Sequence, residues 1–521
     1  MPVALVLTAI LALVVPLGAG AQEIPWAGPT PLPDYIGAPA KPHPTANSGV
    51  PQNPFLAPNP FNSIHFDPWN SDVTNIATPL GRGLAVLSST LAEARQTDNL
   101  APPWIFDCPT VNFDSHGRPI TICFSPTEAT VVLADPDTLE VLSYYYLTVP
   151  PGTPWRGFGR QQLFSSMGSG YSYVGARDQL TIASGGNQII TLVEGGSEES
   201  PVLELPAGNT FDLSAVIATG DNITGVMVDW QGRIWFTTGK GTVNVLNPAT
   251  YQQAGAQSVK GVKLGENEAI QNTFAVTKDG VYVVTSAKTY RVWAGSDDDP
   301  YVVWSEPYNT IGSVRNGQYE LGSGTSPTIL GDGRYVAITD NDTQLHVVVF
   351  RTDERIHPNE TRKVCEVPVF TFPGGGAGAD SNSLIGFRLS MIASNTYNYW
   401  FDWQTGQLLS PSAPGMERID IDPNGKGCRT VWLNSDVATT VSPRLSTRTG
   451  LIYTLARQID ENGLDVYYWT ALDFRTGETV WQKLAGTGEE YDSFYPNIGF
   501  GPNGALYSGA YAGLLTIKDT Q

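Results

Sequence analysis

The segment CPTVNFDSHGRPITICF, beginning at Cys108, returns in form as ITGVMVDWQGRIWFTTG, NTFAVTKDGVYVVTS, SPTILGDGRYVAITD, SPRLSTRTGLIYTLA and YPNIGFGPNGALYSGAYAG. Each copy reads as an alternating strand, a tight turn holding Gly117, Gly232, Gly280, Gly333, Gly450 or Gly504, and a strand rich in β-branched and aromatic residues. Such a turn demands positive φ, which glycine adopts without steric cost. Two weaker copies fill the gaps, so that units begin near 109, 171, 223, 272, 326, 386, 441 and 495. A second signal marks the far end of the unit: LADPDTLEVL, VLNPATYQQA, FDWQTGQLLS and LDFRTGETVW each read as a turn between two outer strands.

Units of about 50 to 60 residues with four strands each predict an all-β chain folded as a β-propeller, because radial repetition leaves only short, protected edges. Eight blades are expected, with seven as the alternative because the copy at 386 is poor. The last unit ends GLLTIKDTQ with room for three strands, and RGLAVLSS at 82–89 is placed to supply the fourth and close the ring. The composition agrees: charged residues are 15%, while 54 Gly, 39 Pro, 22 Tyr and 13 Trp suit short strands and tight turns.

Ahead of the ring, residues 3–15 are an apolar run too short to span a bilayer, followed by Pro16 and small residues up to Ala21. The expectation is a signal peptide over 1–21, a Pro-rich irregular arm over 22–80 and a single propeller domain over 81–521. The destination is then secreted or periplasmic, with no transmembrane segment. Cys108, Cys123, Cys365 and Cys428 fit two disulfides in an oxidising compartment, with three pairings possible. A net charge of -20 argues against nucleic acid as a partner, since phosphate binding needs clustered Lys and Arg. A monomer that binds a small molecule or a protein ligand is expected.

SPTILGDGRYVAIT, with TALDFRTGETVWQ later, resembles the repeat of the quinoprotein-like propellers, and the match is residue by residue at Ala471, Asp473, Thr476, Gly477 and Trp481. The resemblance implies that Trp481 and Trp403 pack between blades. A PQQ dehydrogenase of that family carries an adjacent Cys pair and is larger; this chain has neither, so PQQ is not expected as a cofactor.

Polar residues at the starts of inner strands face one axis, and Glu268, Asn272, Thr328, Asn382, Arg444 and Asn497 are the candidate ligand-binding residues at the channel mouth. Asp340 and Asp342 are candidate metal ligands and Ca²⁺ the candidate cofactor, since a hard cation takes carboxylate oxygens. Asp420, Asp422, Asn424 and Gly425 have the offsets of a calcium loop, but its twelfth position is Val431 where Glu is needed, so a hairpin turn is expected there. The five histidines are scattered, and neither a nucleophile elbow nor a phosphate loop appears. Three readings follow, in order: a ligand-binding or interaction module, a metal-assisted hydrolase or lyase acting on a small or sugar-like substrate, and a PQQ-dependent oxidoreductase. Whether the chain is catalytic is not decided by these residues.

Overall fold

The computed structural model describes residues 32–47, 49–58, 61–90, 107–124, 129–147, 170–316, 318, 321–371, 378, 383–402, 407–410, 412–488, 491–493, 497–510 and 513–521. Residues 1–21, Asn382 and Trp403 lie outside them. Eight blades form a ring, each a meander of antiparallel strands. Their innermost strands, blades 1 to 8 in order, are Asp107–Phe113, Ser172–Val174, Ile223–Val228, Ala275–Val276, Thr328–Leu330, Ile385–Phe387, Arg444–Ser446 and Ile498–Phe500. These are the eight expected starts. The ring closes as the sequence suggests, with Ala85–Thr90 running antiparallel to Gly513–Lys518 as the outermost strand of blade 8.

Four of the far-end signals were expected to be simple turns, and two are more than that. In blade 3, VLNPATYQQA carries a short helix, Pro248–Ala254, because Pro occupies its first turn and the Asn247 side chain caps it by accepting from the Ala249 amide. In blade 6, FDWQTGQLLS belongs to an extra hairpin, Trp400–Asp402 with Gln407–Ser410, inserted between the second strand Ser390–Ser394 and the third, Met416–Ile421. That insertion is why the copy at 386 reads poorly. The Asp422–Gly425 segment forms the expected turn, its Gly425 amide donating to the Asp422 carbonyl at 2.7 Å.

Gly117, Gly232, Gly333, Gly450 and Gly504 hold φ between 74° and 85° in the inner hairpins. Gly280 does not; its lack of a side chain makes room for the Arg291 guanidinium, whose Nε would lie 2.8 Å from an added Cβ. Arg291 belongs to a series. Arg233, Arg291, Arg351 and Arg418 each reach into the following blade and donate to the carbonyls of Gly295, Thr352, Gly425 and Phe474 at 2.9, 2.8, 2.7 and 3.2 Å. Cys108 pairs with Cys123 inside blade 1, and Cys365 with Cys428 joins the outer strands of blades 5 and 6.

The arm, expected to be irregular throughout, carries two short strands among its described residues, because the edge and inner strand of blade 7 offer it backbone partners. Tyr35–Gly37 adds to the outer edge of blade 7, and Val73–Thr74 pairs in parallel with its inner strand.

Candidate functional site

Residues 53–58 and 61–76 of the arm run through the middle of the ring. The Asn53 side-chain amide donates to the Val228 carbonyl of blade 3 at 2.9 Å, and the Ala57 amide to Val174 of blade 2 at 2.9 Å. The carbonyls of Pro68, Trp69, Ser71 and Asp72 then accept from Val276, Ile329, Gly386 and Leu445 at 2.6, 2.9, 2.9 and 3.1 Å, one blade at a time from 4 to 7. Phe61 meets Phe113 of blade 1 and Phe66 meets Phe500 of blade 8, with ring centroids 5.2 Å apart in both pairs. Every blade touches the arm.

Inside this plug lies a buried polar cluster. Arg444, fully buried, pairs with Asp72 at 2.8 Å, donates to the Ile64 carbonyl at 2.8 Å and stacks over Phe66. Burial lowers the Arg444 pKa, against the attraction of Asp72 and Asp67. His65 Nδ1 lies 3.1 Å from Asp72 Oδ1 and 3.0 Å from Ser383 Oγ, and the Ser383 hydroxyl donates to the other Asp72 oxygen. His65 Nε2 is buried and has no hydrogen-bond partner among the described residues. A serine activated by a His–carboxylate pair must sit on the nitrogen opposite the carboxylate, and Ser383 sits on the same one. The cluster is therefore not a serine-hydrolase triad.

The candidate mouth residues divide. Asn272 and Arg444 edge this centre, Asn272 meeting the Tyr171 hydroxyl at 3.4 Å and donating to the Gly324 carbonyl at 2.6 Å. The Tyr171 ring in turn lies 6.1 Å from that of His65. Thr328 and Asn497 tie neighbouring blades, Thr328 donating to the Leu384 carbonyl at 3.0 Å and Asn497 accepting from the Val111 amide at 3.3 Å. Glu268 instead accepts from Thr285 and Tyr290 within blade 4, at 2.6 and 2.8 Å. Asn382 lies outside the described residues. Composition hid His65, Asp67 and Asp72, because the arm reads as a proline spacer. The available signal was FNSIHFDPWNSDVT at 61–74, which breaks that pattern with four aromatic or imidazole rings beyond its single proline.

Asp340 groups with His346 and Glu366, ligand atoms within 4.8 Å of one another, while Asp342 turns to accept from the Thr343 amide at 2.6 Å. All three members already have protein partners: Asp340 accepts from the His346 amide at 2.8 Å and meets its Nδ1 at 2.9 Å, and Glu366 is held by Asn309 and Lys363, both at 2.8 Å. A second group, Asp114, His116 and Glu194, is bridged by the Arg118 guanidinium.

On the face bearing the inner hairpins, the arm folds around a cavity of about 430 Å³. Its wall is made of Val50, Pro51, Pro58, Phe66, Pro68 and Val73, with Asn47, Gln52, Asn53, Asn62, Asp67, Thr74 and Asn75 among them. Asp67 accepts from the Trp69 and Ser71 amides at 2.9 and 3.3 Å and from the Ser71 hydroxyl, yet burial pushes its pKa up to about 7.

Fold and site together define an eight-bladed β-propeller whose channel is filled by its own arm. No protein-family model matches the chain. An uncharacterized protein of Archaeoglobus fulgidus is 28% identical over 331 residues, which are 59% of this chain and 63% of that protein. The chain thus spans less than two thirds of that relative's length. Among solved structures, streptogramin B lyase aligns with TM-score 0.38 at 10% identity, covering 84% of this chain and 97% of that one. BamB from Moraxella catarrhalis aligns with TM-score 0.33 at 17% identity, over 66% and 92%. The Swd1 β-propeller domain of Myceliophteria thermophila aligns with TM-score 0.39 at 10% identity, over 84% and 100%.

Proposed function

We propose that the chain is an extracytoplasmic, quinoprotein-like propeller that binds a ligand without transforming it. One observation carries this reading: the arm occupies the channel, and Arg444, Asn272 and Ser383, the polar groups a substrate would need there, are committed to Asp72, to Gly324 and to the His65–Asp72 pair. Two disulfides suit an oxidising compartment. A hydrolase or lyase is the second reading, favoured by His65 Nε2, which has no partner among the described residues and is placed to serve as a base.

Thermal unfolding of the purified chain against a small-molecule library separates the two. A ligand at about a hundred times its Kd adds roughly 2.7 kcal/mol of stability and raises the midpoint. The expected result is a raised midpoint with the compound recovered unchanged. Conversion of the compound that is lost in His65→Gln would establish the enzyme instead, as would dye reduction after addition of PQQ and Ca²⁺ establish the oxidoreductase.

A further inference from the structure

We propose that the arm-lined cavity is a seat for a neutral cyclic polyol, of the pyranoside class. This rests on the binding reading above and assigns it a place and a ligand chemistry. The cavity, about 430 Å³, falls at the small end of ligand pockets, large enough for a sugar-sized molecule. Pro51 and Pro58, the prolines of its wall that solvent reaches, give it flat apolar faces, which suit the C–H face of a saturated ring. The polar lining that solvent reaches is the amides of Asn47, Gln52 and Asn75 with the Asp67 carboxyl, groups that both give and accept hydrogen bonds with ring hydroxyls.

The charge pattern excludes the alternatives. Among the described residues no Lys or Arg lines the cavity, and the chain carries a net charge of -20, which disfavours an anionic ligand. A cation would need more than the lone Asp67, whose carboxyl keeps its proton over much of the range below neutral pH because it is buried. Several of the polar groups are already fixed in ways that preorganise the wall. Asn53 holds Val228, and the Gln52 amide donates to the carbonyls of Asn53, Leu56 and Ala57 at 2.8, 3.3 and 3.3 Å. A wall held this way loses little entropy when it closes on a ligand.

Saturation-transfer NMR on the full chain tests it, with methyl α-glucopyranoside, methyl α-mannopyranoside and myo-inositol as neutral probes and choline and glucuronate as charged ones. The neutral probes are expected to receive saturation and the charged ones not. Pro58 and Asn75 are exposed at the rim, so Pro58→Trp and Asn75→Trp should fold, keep the melting midpoint and weaken binding at least tenfold. Silence from all neutral probes overturns the proposal, as does a signal that both variants leave unchanged. A choline or glucuronate signal abolished by both variants overturns the ligand class while leaving the binding reading intact. Failure of the whole library in the thermal screen removes that reading itself.

Discussion

Asp67 shows how a residue can be well hydrogen-bonded and still strained by its surroundings. Burial is the largest influence on it, Asp72 adds repulsion, and donors from Ser71 and Trp69 only partly offset them; Arg444 is the cation that feels its charge. Its pKa of about 7 in the folded chain exceeds the ordinary 3.8, so the folded state binds more protons than the unfolded state between those values. Stability contributed by the protonated carboxyl is complete below about pH 4 and is lost as pH rises through about 7. Asp67→Asn should remove that loss, making the chain more stable than the parent at pH 8 and close to it at pH 4. Urea midpoints at the two pH values check this, and equal pH slopes for both proteins would refute it. Other residues were only half legible. Gly450 announces its turn, but nothing announces that an added Cβ there would strike the His43 carbonyl of the arm. Phe66, Asn70 and Asp72 adopt φ of 69°, 54° and 59°, and such conformations in non-glycine residues depend on packing from all sides, not on neighbours in sequence. Asp340 plays in blade 5 the part that Thr285 plays in blade 4, its side chain accepting from the backbone across the turn between second and third strands.

At the scale of elements, repetition made the fold legible, since eight strand starts and the closing strand all follow from one recurring pattern. What broke the pattern was hidden for the same reason: the helix in blade 3 and the hairpin in blade 6 occupy positions where other blades have plain turns, and their sequences imitate those turns. The closure depends on a small clasp beside the strand pairing. Asp519 accepts from the amides of Leu80, Gly81 and Arg82 at 2.7, 3.0 and 2.7 Å, fixing the incoming chain to the outgoing one. Asp519→Ala strips three amides of their acceptor and should cost about 1–3 kcal/mol. The exposed pair of Lys518 with Asp137, 2.8 Å apart, is the comparison, and Asp137→Ala should cost less than about 1 kcal/mol. Chemical denaturation of both variants measures the contrast. Equal losses would mean that the clasp adds nothing beyond a surface charge.

For the molecule as a whole, a propeller blade normally contacts its two neighbours alone, so a ring of eight has eight separate places to open. Here the arm crosses that arrangement. Backbone amides of Val276, Ile329, Gly386 and Leu445, in four successive blades, donate to seven consecutive arm residues' worth of chain, from Pro68 to Asp72 and on to Thr74, whose carbonyl accepts from Thr447 at 2.8 Å. Opening any one of those blades at its inner edge must disturb the arm and, through it, the others. Arg444 and Asp72 strengthen this coupling, because separating them would leave a guanidinium and a carboxylate buried without each other. Innermost strands in a propeller with an empty channel would fray toward water; in this chain they should exchange with solvent only when the entire ring unfolds. Amide hydrogen exchange followed by mass spectrometry on the intact protein reads this directly. Ile329, Gly386 and Leu445 are expected to exchange at the rate of the slowest amides in the sheets, and their protection should fall together in Arg444→Met. Exchange at those three sites much faster than in the middle strands of the same blades would show that the arm rests in the channel without holding the ring together.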